Sequence, residues 1–294
     1  MSSILTNNAA MTALQTLMQV NQNLNKTQNE ISTGLKISSA QDNASYFAIS
    51  QSMKGDSGMY KQINEGLTMT ANSVSTAALG ATTVNNLAQS FAEQVSFAQG
   101  SGVDIGKVQA TLDSYVSQMK TTISQATFNG NDLVNSSATV TVVTGISRAG
   151  GTFSTTTMTF TKVDLSQIAS VLGAIKLNTV AAVTGIGTGG TISTTALGTT
   201  ASALQVSLKT AQTQLTNAIN AATSLGVAQT ALSTQQDFLG KLTDQIDTGV
   251  GAMVDANMEQ QAAQLQAYQV QQQLATQSLS IANQAPQHIL SLFR

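Results

Sequence analysis

The sequence predicts a mainly α-helical chain in which long antiparallel helices flank a short β-containing insertion. Three observations carry this expectation. Apolar residues near the N-terminus recur at alternating spacings of 3 and 4, and a similar pattern runs almost unbroken from about residue 200 to 284. β-Branched and glycine-rich stretches are confined to about 129–199. Helical ends around a β-rich centre imply that the first and last segments pair, so that domains are discontinuous in sequence.

Within the first zone, Leu17, Val20, Leu24, Thr27 and Ile31 form the heptad seam of a helix that packs on another helix. A second helical run is expected from about Asp42 to Ala98 and a third from about Asp104 to Thr127. Asp42 and Asp104 stand where N-caps are useful, because a short acceptor side chain satisfies the first free backbone N–H groups of a helix. Gly34, Gly55, Gly58 and the Gly100-Ser101-Gly102 stretch punctuate the zone.

In the middle, Thr139-Val140-Thr141-Val142-Val143 reads as a strand, Gly150-Gly151 as a turn, and Phe153 to Phe160 as a returning strand. Asp164 opens a short helix that buries Leu165, Ile168 and Leu172, and Thr184 to Thr200 reads as irregular. The last zone keeps helical spacing through Leu204, Leu208, Ala211, Leu215, Ala218 and Ala222, with Gly226, Gly240, Gly249 and Gly251 as breaks or close-approach points. Its end carries two apolar stripes. One holds Met258, Leu265, Tyr268, Ala275, Leu279 and Ala282, the other Ala263, Ala267, Val270, Leu274 and Ile281. A helix apolar on two faces touches more than one neighbour. Pro286, the single proline, is expected to close this helix.

Composition narrows the function. Of 294 residues only 9% are charged, and the net charge of −2 comes without a basic cluster, which argues against nucleic acid and anionic membrane as partners. There is no cysteine and one histidine, His288, so thiolate chemistry is excluded and histidine catalysis is disfavoured; no metal or other cofactor is expected. No lysine or arginine precedes Lys26, so no charged signal-peptide region is visible, and no apolar run is long enough to span a bilayer. The charge is lost chiefly from the ends: residues 1–25 carry none, and residues 260–293 none beyond His288. Exposed helices ordinarily carry Lys and Glu on their outer face. Gln, Asn, Ser and Thr in their place suit helices surrounded by copies of themselves, because unpaired buried charges are costly and amides are tolerated once paired. Two such helices alone are marginal, so the ends are expected to order on assembly.

The same residues carry a resemblance. The opening Ile4-Leu5-Thr6-Asn7 followed by Ala9 to Leu17, the stretch Ile31-Ser32-Thr33-Gly34-Leu35-Lys36-Ile37-Ser38-Ser39-Ala40-Gln41-Asp42-Asn43-Ala44, the Phe128-Asn129-Gly130 turn and the end Leu279 to Gln287 with Leu290-Ser291-Leu292-Phe293-Arg294 resemble bacterial flagellin over essentially the whole chain. The short middle is similar to compact alphaproteobacterial flagellins.

The resemblance implies a self-assembling structural subunit of the flagellar filament, not an enzyme. Residues 1–40 with 255–294 would form an inner coiled-coil domain, 41–140 with 200–254 a helical rod domain with a β-hairpin, and 141–199 a small variable surface insertion. Leu14, Leu17, Leu24, Ile31, Leu265, Leu274, Leu279, Ile281, Leu292 and Phe293 are the expected packing and assembly residues. Implied partners are other copies in a helical polymer, together with an export chaperone, cap and junction proteins. Export would follow the flagellar type III route, placing the filament outside the cell without a cleaved signal. The hook–filament junction protein of the same axial family is the alternative, disfavoured by the Ser291-Leu292-Phe293-Arg294 ending.

One segment departs from the family pattern. Where receptor-sensed flagellins carry two arginines, this chain has Gln89 and Phe91, followed by Glu93. Loss of their charge-assisted hydrogen bonds implies weak recognition by the Toll-like innate receptor.

Other candidate motifs read blandly. Asp237, Asp244, Asp247, Asp255 and Glu259 are spread along a helix as a solvated stripe. Gly185 to Gly190 lacks the following lysine of a phosphate loop, and Met11, Met18, Met53, Met59 and Met69 read as adaptable packing.

Overall fold

A computed structural model describes residues 7–148, 152–177, 183–186, 192–194 and 200–292. The elements run α1 (Asn8–Thr33), α2 (Ala44–Phe97), α3 (Ile105–Gln125), β1 (Thr127–Phe128), β2 (Asn131–Asp132), β3 (Thr139–Ser147), β4 (Ser154–Thr161), α4 (Leu165–Gly173), β5 (Val183–Ile186), β6 (Ile192–Thr194), α5 (Thr200–Val254) and α6 (Met258–Leu292). They fall into two compact units, Met1–Gly58 with Thr243–Arg294, and Met59–Leu242.

In the first unit α1 packs antiparallel on α6. The Asn7 side chain caps α1 by accepting from the Ala10 N–H at 3.0 Å and donates its own amide to the Ala282 carbonyl at 2.8 Å. Farther along the pair, Gln272 donates to Asn21 at 2.6 Å. α1 stops at Gly34, whose left-handed φ of 71° lets its N–H return to the Glu30 carbonyl.

The two connectors beyond these helices are bonded to each other. Lys36 N–H donates to the Val254 carbonyl at 2.7 Å, and Ala256 N–H to the Gly34 carbonyl at 2.9 Å. Beside them Ile37, Val250 and Val254 form a small core with Phe47, Met53 and Ile246 packed against it.

Three expectations about this unit change. Asp42 does not cap α2. Its Oδ2 accepts from the backbone N–H and hydroxyl of both Ser38 and Ser39, and Asn43 takes the cap by accepting from Ser45 and Tyr46 N–H. The Ser-Ser pair outbids the helix because it offers the carboxylate four donors in one turn.

The late helical pattern is two helices, and none of its four glycines ends either one. The break is at 255–257, where the Asn257 side chain caps α6 through Glu259 and Gln260 N–H. Gly249 and Gly251 are close-approach points: an added Cβ would lie 3.5 Å from Met53 Cε and 2.7 Å from Asp255 Oδ2. Nothing lies near Gly226 or Gly240. Finally, α6 continues past Pro286 to Leu292. A proline removes one backbone donor, a local loss that helical runs on both sides can carry.

The second unit is built on α2 from Met59, α3, α4 and α5 to Leu242. Phe91, Leu67, Leu112, Met119, Leu165, Leu172, Leu225, Leu232 and Leu239 are its fully buried large side chains. Asp104 caps α3 as expected, accepting from Gly106 and Lys107 N–H, and Asp164 caps α4 through Gln167 N–H. Gly55 and Gly58 lie inside α2 without breaking it.

Asn129 and Gly130 have φ of 50° and 77° and join β1 to β2, pairing Thr127 with Asp132 and Phe128 with Asn131. Two left-handed residues in a two-residue loop match the strand twist, which is why Asn-Gly serves here.

β3 and β4 pair from Thr139↔Thr161 to Ser147↔Ser154, with a register shift between Val143 and Gly145. Val140, Val142, Met158 and Phe160 rest on the helical core, leaving Thr139, Thr141, Thr157, Thr159 and Thr161 exposed. Gln235 donates to the Thr144 carbonyl at 2.8 Å and Tyr60 to that of Ile146 at 3.2 Å. The segment expected to be irregular contains a further hairpin, with Val183↔Thr194, Thr184↔Ser193 and Ile186↔Ile192 paired. Its β-branched residues favour strand despite the glycine between them.

Candidate self-association surface

The paired face of α1 and α6 is partly amide-lined. On α1 Val20 and Thr27 are buried, while Leu17, Leu24 and Ile31 are half-buried. On α6 Gln261 and Ala275 are buried, while Leu265, Tyr268, Gln272, Leu279 and Ala282 are half-buried. This is the first of the two α6 stripes read from sequence, less Met258, which is exposed, and with Gln261 and Gln272 added.

The second stripe faces outward: Leu274 is 61% exposed and Ile281 64%, with Val270 beside them. α1 has a matching outward stripe in Met11 (63% exposed), Leu14 and Met18 (54%). The structure therefore separates the expected assembly residues. Leu17, Leu24, Ile31, Leu265 and Leu279 are in the pair's seam, and Leu14, Leu274 and Ile281 are on its uncovered faces. Leu292 ends α6, with its side chain undescribed, and Phe293 lies outside the described residues. Met11, Met18 and Met69, read as adaptable packing, are exposed in the subunit; periodicity locates a stripe but not which stripe the subunit itself covers.

Charge is sparse across this surface. The Lys26–Glu30 contact, at 3.9 Å, is an ion pair within α1. A polar cleft of about 750 Å³ lies at the base of the pair, lined by Lys26, Glu30, Lys36, Asp42, Asp255 and Tyr268 among others. Asp42 is held below the usual carboxylate range first by the Ser39 and then by the Ser38 backbone N–H. In the acidic stripe, Asp247 accepts from the buried Ser57 hydroxyl at 2.7 Å.

Among the described residues no group of His, Cys, Asp or Glu could hold a metal ion, and no helix is long and apolar enough to cross a membrane. Gly185 and Ile186 belong to β5, and the rest of that glycine-rich stretch lies outside the described residues. In the receptor segment, Gln89 and Glu93 are exposed and share a 3.1 Å hydrogen bond, whereas Phe91 is fully buried in the second core. Phe91 thus presents nothing to a receptor.

Sequence reasoning missed the polar pins Asn7–Ala282 and Asn21–Gln272. The signal was an asparagine just ahead of a helix, together with amides interrupting an apolar seam.

A helix pair with almost no charge and apolar stripes left uncovered on both members is the mark of a structural subunit with surfaces suited to self-association. Residues 4–139 match the family model for the bacterial flagellin N-terminal helical region, and residues 208–293 that for the C-terminal helical region. A flagellin of Brucella melitensis is 37% identical, with 100% of each chain covered. Flagellin FljM of Caulobacter vibrioides is 33% identical over 100% of this chain and 99% of its own. A flagellar hook-associated protein from Vibrio parahaemolyticus superposes with a TM-score of 0.49 at 12% identity, over 73% of this chain and 100% of that one. The chain belongs to the bacterial flagellin family and is a structural subunit of the flagellar filament.

Proposed function

We propose that copies of this chain polymerise through the outward stripes of α1 and α6, and that the resulting filament lies outside the cell and serves swimming. The observation that carries this is the exposure of Met11, Leu14, Met18, Val270, Leu274 and Ile281 on helices with almost no charge. Contiguous exposed apolar stripes mark interaction surfaces, and their uncharged surroundings remove the cost of burying unpaired ions.

In the polymer, residues 1–40 with 255–294 form the inner coiled-coil domain, 41–140 with 200–254 the rod domain, and 141–199 the solvent-facing insertion. The subunit has no catalytic role. It travels unfolded through the flagellar type III route without a cleaved signal, served by an export chaperone and met by cap and junction proteins.

Mixing purified subunit with short filament seeds and imaging by electron microscopy tests the central claim. Long tubular filaments are expected. A subunit that stays soluble with seeds present would overturn it and favour a junction role.

Gln89 and the buried Phe91 stand where receptor-sensed flagellins carry arginines, so the charge-assisted hydrogen bonds to a receptor carboxylate are missing and innate-receptor activation is weak. A reporter assay in which the subunit matches an arginine-bearing flagellin would refute that.

A further inference from the structure

We propose that Met11 and Met18 are a reversible oxidation site that controls whether a free subunit can join the polymer. This rests on the reading that copies cover the outward stripes. The two residues sit two helical turns apart on one face of α1, line a shallow groove of about 380 Å³ with Leu14, and are each more than half exposed. Met119, by contrast, is fully closed off in the second core. Before assembly, therefore, both sulfurs are open to dissolved hydrogen peroxide.

In that reaction the thioether Sδ attacks one peroxide oxygen. An S–O bond forms as the O–O bond breaks, the sulfur loses two electrons, and the other oxygen leaves as water after taking the proton. The product sulfoxide replaces a flexible apolar side chain with a strong acceptor. Covering that acceptor in an apolar contact without a donor is unfavourable, so an oxidised subunit is refused. Once assembled, the same sulfurs are shielded. Sulfoxide reductases restore the thioether, which makes the block reversible.

Partial oxidation of dissociated subunits with hydrogen peroxide, followed by seeding, sedimentation and mass spectrometry of each methionine, tests this directly. Sulfoxide at Met11 and Met18 should be depleted about tenfold in the pellet relative to the supernatant, and reductase treatment should return the excluded subunits to the polymer. Equal sulfoxide content in the two fractions overturns the proposal.

Treating preformed filaments with the same dose separates this from the reading beneath it. Met11 and Met18 should then be spared. If they oxidise as fast in filaments as in subunits, copies do not cover that face and the assembly reading itself fails, whatever the partition shows.

Met11→Leu/Met18→Leu provides a second measurement, each protein compared with itself with and without peroxide. The critical concentration of the variant should no longer rise on oxidation. A rise as large as in the unsubstituted chain would place the effect on other methionines and overturn the assignment.

Discussion

At the scale of single residues, Leu17 and Leu274 have the same side chain but opposite duties. Leu17 is half-buried in the α1–α6 seam, and Leu274 stands outward on α6. An aspartate in the seam places a carboxylate where the nearest groups are apolar or amide, which opens the pair. An aspartate at 274 leaves the pair intact and charges the uncovered stripe. Leu274→Asp should therefore abolish seeded polymerisation with the subunit's circular dichroism almost unchanged. Leu17→Asp should abolish it too with subunit helix content mostly intact, because the lone pair is marginal before assembly. Polymerisation of Leu274→Asp at ordinary concentration would remove that residue from the contact surface.

A second residue-scale expectation concerns Asp113. Its carboxylate accepts from Lys176 Nζ at 2.7 Å and from Gln109 at 3.0 Å, and the lysine hydrogen bond is the main cause of its lowered pKa. A depressed folded-state value means that the pair's contribution is fully present above the ordinary carboxylate range. It is lost as pH falls through the depressed folded value. Carboxyl NMR should show Asp113 titrating below a normal aspartate, and Lys176→Ala should move it upward. The pair is half exposed, so the effect on stability is small and screened by salt.

Elements are where physical rules read from sequence worked best and also where they stopped. The heptad on α1, the caps at Asp104 and Asp164 and the β3–β4 hairpin follow from the residue pattern of each element, and the Asn129-Gly130 turn from the resemblance. Asp42 and the 255–257 break are decided differently. One is settled by a competing pair of serines, the other by backbone bonds to Gly34 across the fold, and neither partner is implied by helical periodicity. The same holds for which α6 stripe is covered.

Close helix approach is equally invisible until partners are known. Gly80 sits inside α2, and a Cβ built there would lie 2.5 Å from the Ala126 Cβ. Gly80→Ala should thus destabilise the second unit by about 1–3 kcal/mol despite alanine's better helix propensity. Thermal melting should show the loss, and Ala126→Gly should recover much of it. A Gly80→Ala subunit as stable as the parent would show that α2 and the end of α3 can separate without cost.

For the whole molecule, the contrast lies between its two units. Met59–Leu242 closes a broad apolar core with nine large side chains fully buried, whereas along the α1–α6 seam the buried residues among those described are Val20, Thr27, Gln261 and Ala275. A two-helix contact with half-buried leucines is marginal without further neighbours, and the uncovered stripes are the faces on which neighbours would act. Burial by copies then supplies what the lone pair lacks, so assembly should order the ends as well as join the subunits.

Limited proteolysis distinguishes this from a pair that is already rigid, provided the protease is broad. Trypsin has no site between residues 260 and 293, so subtilisin-like cleavage is needed to report on α6. Free subunits should lose both ends quickly and leave a core centred on 59–242, while filaments keep α1 and α6 intact under the same digestion. Equal resistance in the two states would mean that the α1–α6 pair is stable alone. Polymerisation would then be rigid docking of a finished surface, and the scarcity of charge would serve contact only, not folding on contact.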